Sequence, residues 1–114
     1  MRTASAISPI SLVELQDLAS RFGDMVKAVV DVRRGVMLLD AELHADQEAE
    51  LLGSGSAQQD LWGINLYPGL PETEWIEFDS MINLRPSFGN RSRGVDDAAT
   101  RTQIVALVER LVRR

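Results

Sequence analysis

Cysteine is absent from this chain of 114 residues, which excludes a disulfide, a thiolate nucleophile and any zinc–thiolate centre. A reducing compartment is the natural setting, and we expect a cytoplasmic protein. Lysine and histidine each occur once, as Lys27 and His44, so positive charge rests almost wholly on arginine. Positive charge is also in deficit, with 12 Lys plus Arg against 17 Asp plus Glu, a net charge of -5 and a pI near 4.8. Nucleic-acid binding draws most of its affinity from basic groups on phosphates, so nucleic acid is not expected as a partner. Long apolar runs are missing as well. The N-terminal residues lead into an amphipathic pattern, and we expect neither a signal peptide nor a membrane span.

What is present suits one globular core: 45% of residues are hydrophobic and 25% charged, ordinary values at a single-domain length. We expect residues 1–10 to be a flexible N-terminus and 11–114 to be a single α+β domain. Ser11 with Glu14 forms a capping box, and Leu12, Leu15, Leu18, Ala19 and Phe22 follow at helical spacing up to Gly23, which predicts a helix over 11–22. From Met25 the period becomes two, giving a strand that turns at Arg33-Arg34-Gly35 into a second run, Val36 to His44, the pattern of a hairpin. A helical turn at Glu48 to Leu52 then runs into Gly53-Ser54-Gly55-Ser56, expected as the most mobile internal loop. Asp60 to Tyr67 alternates again, Pro68-Gly69-Leu70-Pro71 breaks the ladder, and Trp75 to Arg85 shows the clearest alternation, with Phe78 and Ile82 facing inward. A last helix, capped by Asp96 or Asp97, carries the stripe Ile104, Leu107, Val108 and Leu111. This order predicts an α+β two-layer sandwich, a mainly antiparallel sheet of four strands with helices on one face.

Strand alternation also selects the candidate site residues. Glu42, His44 and Asp46 fall on one face of the second run, where a carboxylate–imidazole pair could do acid–base work. Strand residues two apart are separated by about 6.5–7 Å, so convergence of the three on one metal ion is awkward, and no metal or other cofactor is expected. Asn65 and Tyr67 share a face with Asn83 and Arg85 if their strands pair as a hairpin. An arginine flanked by amides and a phenol suits a small anionic ligand. The ordinary alternative is that Arg85 pairs with a neighbouring carboxylate. Residues 90–94, Asn-Arg-Ser-Arg-Gly, could cradle an anion at the last helix, but Asp96 and Asp97 already occupy its entrance, so capping is the expected role. Alternation places Trp62 in the core and Trp75 at an interface.

The strings E-L-H-A-D at 42–46, D-L-W-G-I-N-L-Y-P at 60–68, I-N-L-R-P at 82–86 and N-R-S at 90–92 resemble a family of small bacterial proteins of unknown function. The resemblance runs from Val29 to Val112 and implies a cytoplasmic, stand-alone protein, with no activity or catalytic residue to carry over. We therefore expect a self-associating binding or regulatory module, a homodimer that covers its open sheet face with Trp75 near the contact. The alternative is a small hydrolase or nuclease with His44 as acid–base, Arg85 stabilising an anion, and Asp46, Tyr67 or Asn65 positioning substrate. The alternative requires His44 and Arg85 to share one depression. RNA binding through Arg85, Arg91 and Arg93 is a third, weaker reading, because the chain is acidic and offers no aromatic platform.

Overall fold

Residues 1–114 are described by a computed structural model. Its three α-helices are α1 (Leu12–Ser20), α2 (His44–Gly53) and α3 (Ala98–Leu111). Its strands are β1 (Arg2–Ala4), β2 (Ile10–Ser11), β3 (Val26–Asp31), β4 (Val36–Leu39), β5 (Leu61–Leu66), β6 (Ile76–Glu77) and β7 (Val112–Arg113). Five of them form an antiparallel sheet in the order β1-β4-β3-β5-β6, while β2 and β7 make a small parallel pair. The α+β class with a mainly antiparallel sheet holds, with a fifth strand supplied by the N-terminus. Residues 1–10 were expected to be flexible, yet Thr3 lies opposite Leu38 in β1 and Ile10 opposite Val112 in β2.

Local signals account for the framework. The Ser11 hydroxyl accepts from Glu14 N at 3.0 Å and starts α1. The Asp97 carboxylate accepts from Thr100 N at 3.0 Å and starts α3, each removing an orphan amide of a first turn. The β3–β4 turn is set by Asp31, whose Oδ1 accepts from Arg33 N and Arg34 N at 2.9 Å each, with Gly35 at φ +69°. Ala28, Val30, Met37, Leu39, Ile64 and Leu66 project to one face of the sheet and meet Leu15 and Leu18 of α1 and Ile104, Leu107 and Val108 of α3. Each of these side chains larger than alanine contributes about 1.5–3 kcal/mol on burial. On the opposite face Val29, Leu38 and Leu61 pack with Leu51 of α2. Helices α1 and α3 thus cover one face, and α2 covers part of the other.

Four expectations need correction. The run from Val36 was expected to stay extended to His44, but β4 ends at Leu39 because Asp40 adopts φ +64°, and the chain re-enters as α2. The run Trp75 to Arg85 forms a strand only at Ile76–Glu77 and then tightens into a 3₁₀ turn at Met81–Asn83. Ser80 is buried and Met81 exposed as alternation predicts, but beyond them the sides are exchanged, with Leu84 exposed and Asn83 and Arg85 buried, and half-buried Phe78 and Ile82 pack against opposite sides of the sheet. The two tryptophans also exchange roles. Trp75 is 1% exposed in the main core, while Trp62 is half-buried at its margin. Finally, the glycine–serine loop expected to be mobile is tied down, since Ser56 donates to Asp31 at 2.6 Å and Arg34 reaches the hydroxyls of Ser54 and Ser56.

Candidate functional site

The polar residues picked out by alternation separate into two groups. The first brackets the free edge of β5. Beyond its short pairing with β6, β5 presents Gly63 and Leu61 with no neighbouring strand, and side chains take that strand's place. The Asn83 amide accepts from Gly63 N at 2.8 Å and donates to Gly63 O and to Arg93 O at 2.9 Å each. Arg85 donates to Leu61 O at 2.8 Å and to Gln58 O, with its guanidinium 4.5 Å from the Trp62 ring centre. Asn90 closes the bracket: its amide lies 2.8 Å from Asn83 O, and its backbone exchanges hydrogen bonds with Arg85. Close approach requires glycine at 63, because a Cβ there would stand 2.5 Å from Ser80 Oγ and 2.6 Å from Ser80 Cβ.

This arrangement binds Asn83 and the terminal nitrogens of Arg85 to backbone groups around β5. Burial pulls the Arg85 pKa down, opposed by the charge of Glu48; its two terminal nitrogens are bound to carbonyls and the group lies over an aromatic face, neither of which is an anion, while Nε is buried without a partner. The expected pairing of Arg85 with a carboxylate is also absent, since its partners are backbone oxygens. Arg91 and Ser92 are held by the Asp96 carboxylate, so the segment 90–94 is a braced loop, and its hydrogen bonds keep the Asp96 pKa low, chiefly the one from Ser92.

The second group meets on the α2 side of the sheet. Cross-strand register sets Lys27, Asn65 and Glu77 in one row across β3, β5 and β6. The first turn of α2 lies over this row, and the segment through Asp79 to Ile82 flanks it. Between them is a cleft of about 390 Å³ lined by Lys27, His44, Asn65, Glu77, Asp79 and Arg93 among others, with Met25, Leu43, Met81 and Ile82 as apolar walls. Its volume is at the small end of ligand pockets.

His44 is the first residue of α2 and only 8% exposed. Its Nε2 lies 2.8 Å from Ile64 O, and a carbonyl can only accept, so Nε2 carries the proton and Nδ1 remains an acceptor when the ring is neutral. Burial lowers the His44 pKa, partly offset by the bond to Ile64; Lys27 and Arg93 lower it further and Asp79 raises it. Asn65 is 6% exposed, and its Nδ2 donates to Glu77 Oε1 at 2.8 Å and to Asp79 O at 3.2 Å, fixing the amide orientation. Its Oδ1 is buried without a partner. Half-buried Tyr67 donates to the same Glu77 oxygen at 3.3 Å, and its pKa is raised by burial and by Glu77.

Of the expected site residues, only His44 and Asn65 line the cleft; Tyr67 supports it through Glu77, and Arg85 is not among its lining residues. Glu42, in the segment before α2, and Asp46 are both exposed, and helical geometry turns Asp46 about 200° away from His44. No group of three or more His, Asp and Glu side chains is arranged to hold a metal. Sequence reasoning missed Lys27, Glu77, Asp79 and Arg93 as a group. The available signal was register, since pairing the strands through Asn65 brings Lys27 and Glu77 to its two sides.

The family described as Protein of unknown function (DUF5674) matches this chain over residues 6–111. No curated protein and no solved structure matches it.

Proposed function

Because the chain belongs to that family of unknown function, whose description assigns no chemistry, we propose from its geometry that it is a small self-associating binding module. The observation that carries this reading is the cleft itself. Asn65 Oδ1 is buried without a partner on a side chain that lines it, and His44, also nearly buried and lining it, keeps Nδ1 as an acceptor when the ring is neutral. A buried unpaired acceptor costs about 1–3 kcal/mol, a cost that a bound ligand offsets. The hydrolase or nuclease alternative depended on His44 and Arg85 acting together, and Arg85 braces β5 instead. Ala45 lines the cleft and is exposed, so Ala45→Trp should block the mouth without disturbing the core. A thermal-shift screen of small polar metabolites should find compounds that stabilise the wild-type protein and lose their effect on Ala45→Trp. A screen at millimolar concentration with no such compound would refute the module.

Self-association is supported by a second concavity, about 520 Å³, along the outer side of α3, lined by Phe78, Ala98, Thr102, Val105 and Ala106 with Arg101 and Glu109. Arg101, Val105 and Glu109 follow one ridge at four-residue spacing, with the two charges about 12 Å apart along the axis. Two α3 helices packed antiparallel about Val105 set each Arg101 against the Glu109 of the other copy, the self-complementarity that a twofold contact needs. Arg101 is already steadied by the carbonyls of Val95 and Asp96, so little side-chain freedom is lost. Trp75 is enclosed in the core and is replaced by α3 in this interface. Light scattering at micromolar concentration should give a dimer mass that Val105→Glu reduces to a monomer; a monomeric wild-type protein would retire the interface.

A further inference from the structure

We infer that the cleft takes a small zwitterion of amino-acid type, with an ammonium group over Asn65, Glu77 and Asp79 and a carboxylate toward Lys27 and the first turn of α2. The inference rests on the reading of the cleft as a binding site and adds the class of its ligand. Lys27 and Arg93 balance Glu77 and Asp79, so a neutral ligand with internal charge separation fits better than one of net charge. The groups are also sorted in space. Asn65 Oδ1 has no donor, and Glu77 lies beside it in the next strand, so this end is rich in acceptors and calls for a donor with several N–H groups. The opposite end holds Lys27, which makes no ion pair, whereas Arg93 is bound to Asp79 at 2.8 Å. Leu43 supplies no side-chain cap to α2, so the helix N-terminus adds positive potential beside Lys27, in part offset by the Asp46 carboxylate of that turn. The row from Lys27 through Asn65 to Glu77 spans two strand spacings, about 10 Å between backbones, and inward-leaning side chains shorten this to the scale of a small zwitterion. The apolar walls at Met25, Met81 and Ile82 suit an aliphatic side chain.

The test is a titration of the ¹⁵N-labelled full chain, followed by amide shifts, with L-leucine, L-lysine, butylamine as cation alone and glutarate as anion alone. At least one amino acid should give saturable shifts at the Asn65 side-chain amide and at the His44 and Ala45 backbone amides, with glutarate inert and butylamine weaker by about tenfold or more, the effect of losing one charge-assisted contact. Glu77→Gln keeps the acceptor for Asn65, and Lys27→Gln is confined to the cleft wall; each should weaken binding by about tenfold or more. Glutarate binding at these amides as tightly as the amino acids would overturn the zwitterion while leaving the binding module in place. Shifts confined to residues outside the cleft, or amino-acid affinity unchanged by both substitutions, would likewise overturn the assignment. If no probe binds and the metabolite screen is also silent, both readings fail together.

Discussion

Replacing Asn83 with alanine should be among the most damaging single changes away from the apolar core. The side chain is 0% exposed and makes hydrogen bonds to Gly63 N, Gly63 O and Arg93 O. Each bond contributes about 1 kcal/mol net, and a buried group left without a partner costs about 1–3 kcal/mol. With Ser80 and Ile82 packed over Gly63, water reaches the freed groups only in part, so the expected loss is about 3–6 kcal/mol. That is a large share of the roughly 5–15 kcal/mol that holds a domain together. Urea unfolding followed by fluorescence of Trp62 and Trp75 measures the loss by linear extrapolation, and hydrogen exchange at the Gly63 amide reports the bracket directly. Asn83→Asp is a sharper probe. Its carboxylate can still accept from Gly63 N but turns its second oxygen toward two carbonyls, so at neutral pH it should be at least as damaging as alanine and should recover partly in acid. A loss below about 1 kcal/mol for Asn83→Ala, with Gly63 exchange unchanged, would show that β5 does not need the bracket.

Arg85→Ala should cost about 2–4 kcal/mol through lost carbonyl contacts and lost packing on Trp62, and Arg85→Lys should recover little of it, since an ammonium cannot reproduce the planar fork; near-wild-type urea midpoints for both would return Arg85 to the list of free ligand groups. Gly63→Ala should destabilise by about 1–3 kcal/mol or more by driving its methyl into Ser80, and pairing it with Ser80→Gly should shrink that loss in the same assay. For His44 the sign follows from a lowered folded-state pKa: the unfolded chain takes up the proton first, so stability is full above the ordinary value near 6.5 and falls as pH drops through it toward the folded value. The urea midpoint should therefore decline from pH 7 to pH 5 more steeply in the wild type than in His44→Gln, and parallel declines would clear His44 of the effect.

The parts of this fold legible in sequence are those whose cause is local. Ser11 and Asp97 cap helices through residues three positions on, and the alternation in β3 and β5 is enforced by apolar neighbours on both faces, so each could be read without knowing the rest of the chain. The segment 75–85 defeats the same reasoning for a physical reason. Alternation assumes that polar means outward, but Asn83 and Arg85 are polar because they replace a missing strand, and their hydrogen-bond partners lie some twenty residues earlier in β5. His44 was misplaced by a single residue: Asp40 in the left-handed region ends β4 without the glycine that would have announced it, and aspartate tolerates that conformation well enough to give no warning. The glycine–serine loop was misjudged because Asp31 and Arg34, which pin it, belong to a distant hairpin.

A consequence for function follows from where the short sequence strings lie. D-L-W-G-I-N-L-Y-P is chiefly β5, I-N-L-R-P supplies Asn83 and Arg85, and N-R-S begins with Asn90. These strings therefore mark a strand and the side chains that complete its edge, a device of architecture in which Asn83, Asn90 and the terminal nitrogens of Arg85 are bound to backbone groups. The chemistry still available to a ligand sits mostly outside them, on Lys27, Glu77, Asp79 and Arg93, with His44 and Asn65 as the only string residues that bring a polar side chain to the cleft. A search for activity guided by the strings alone would mutate Asn83 and Arg85, unfold the protein and misread the lost stability as lost catalysis. Substitutions at Lys27 and Glu77, which touch no buried bracket, are the changes that can separate binding from folding.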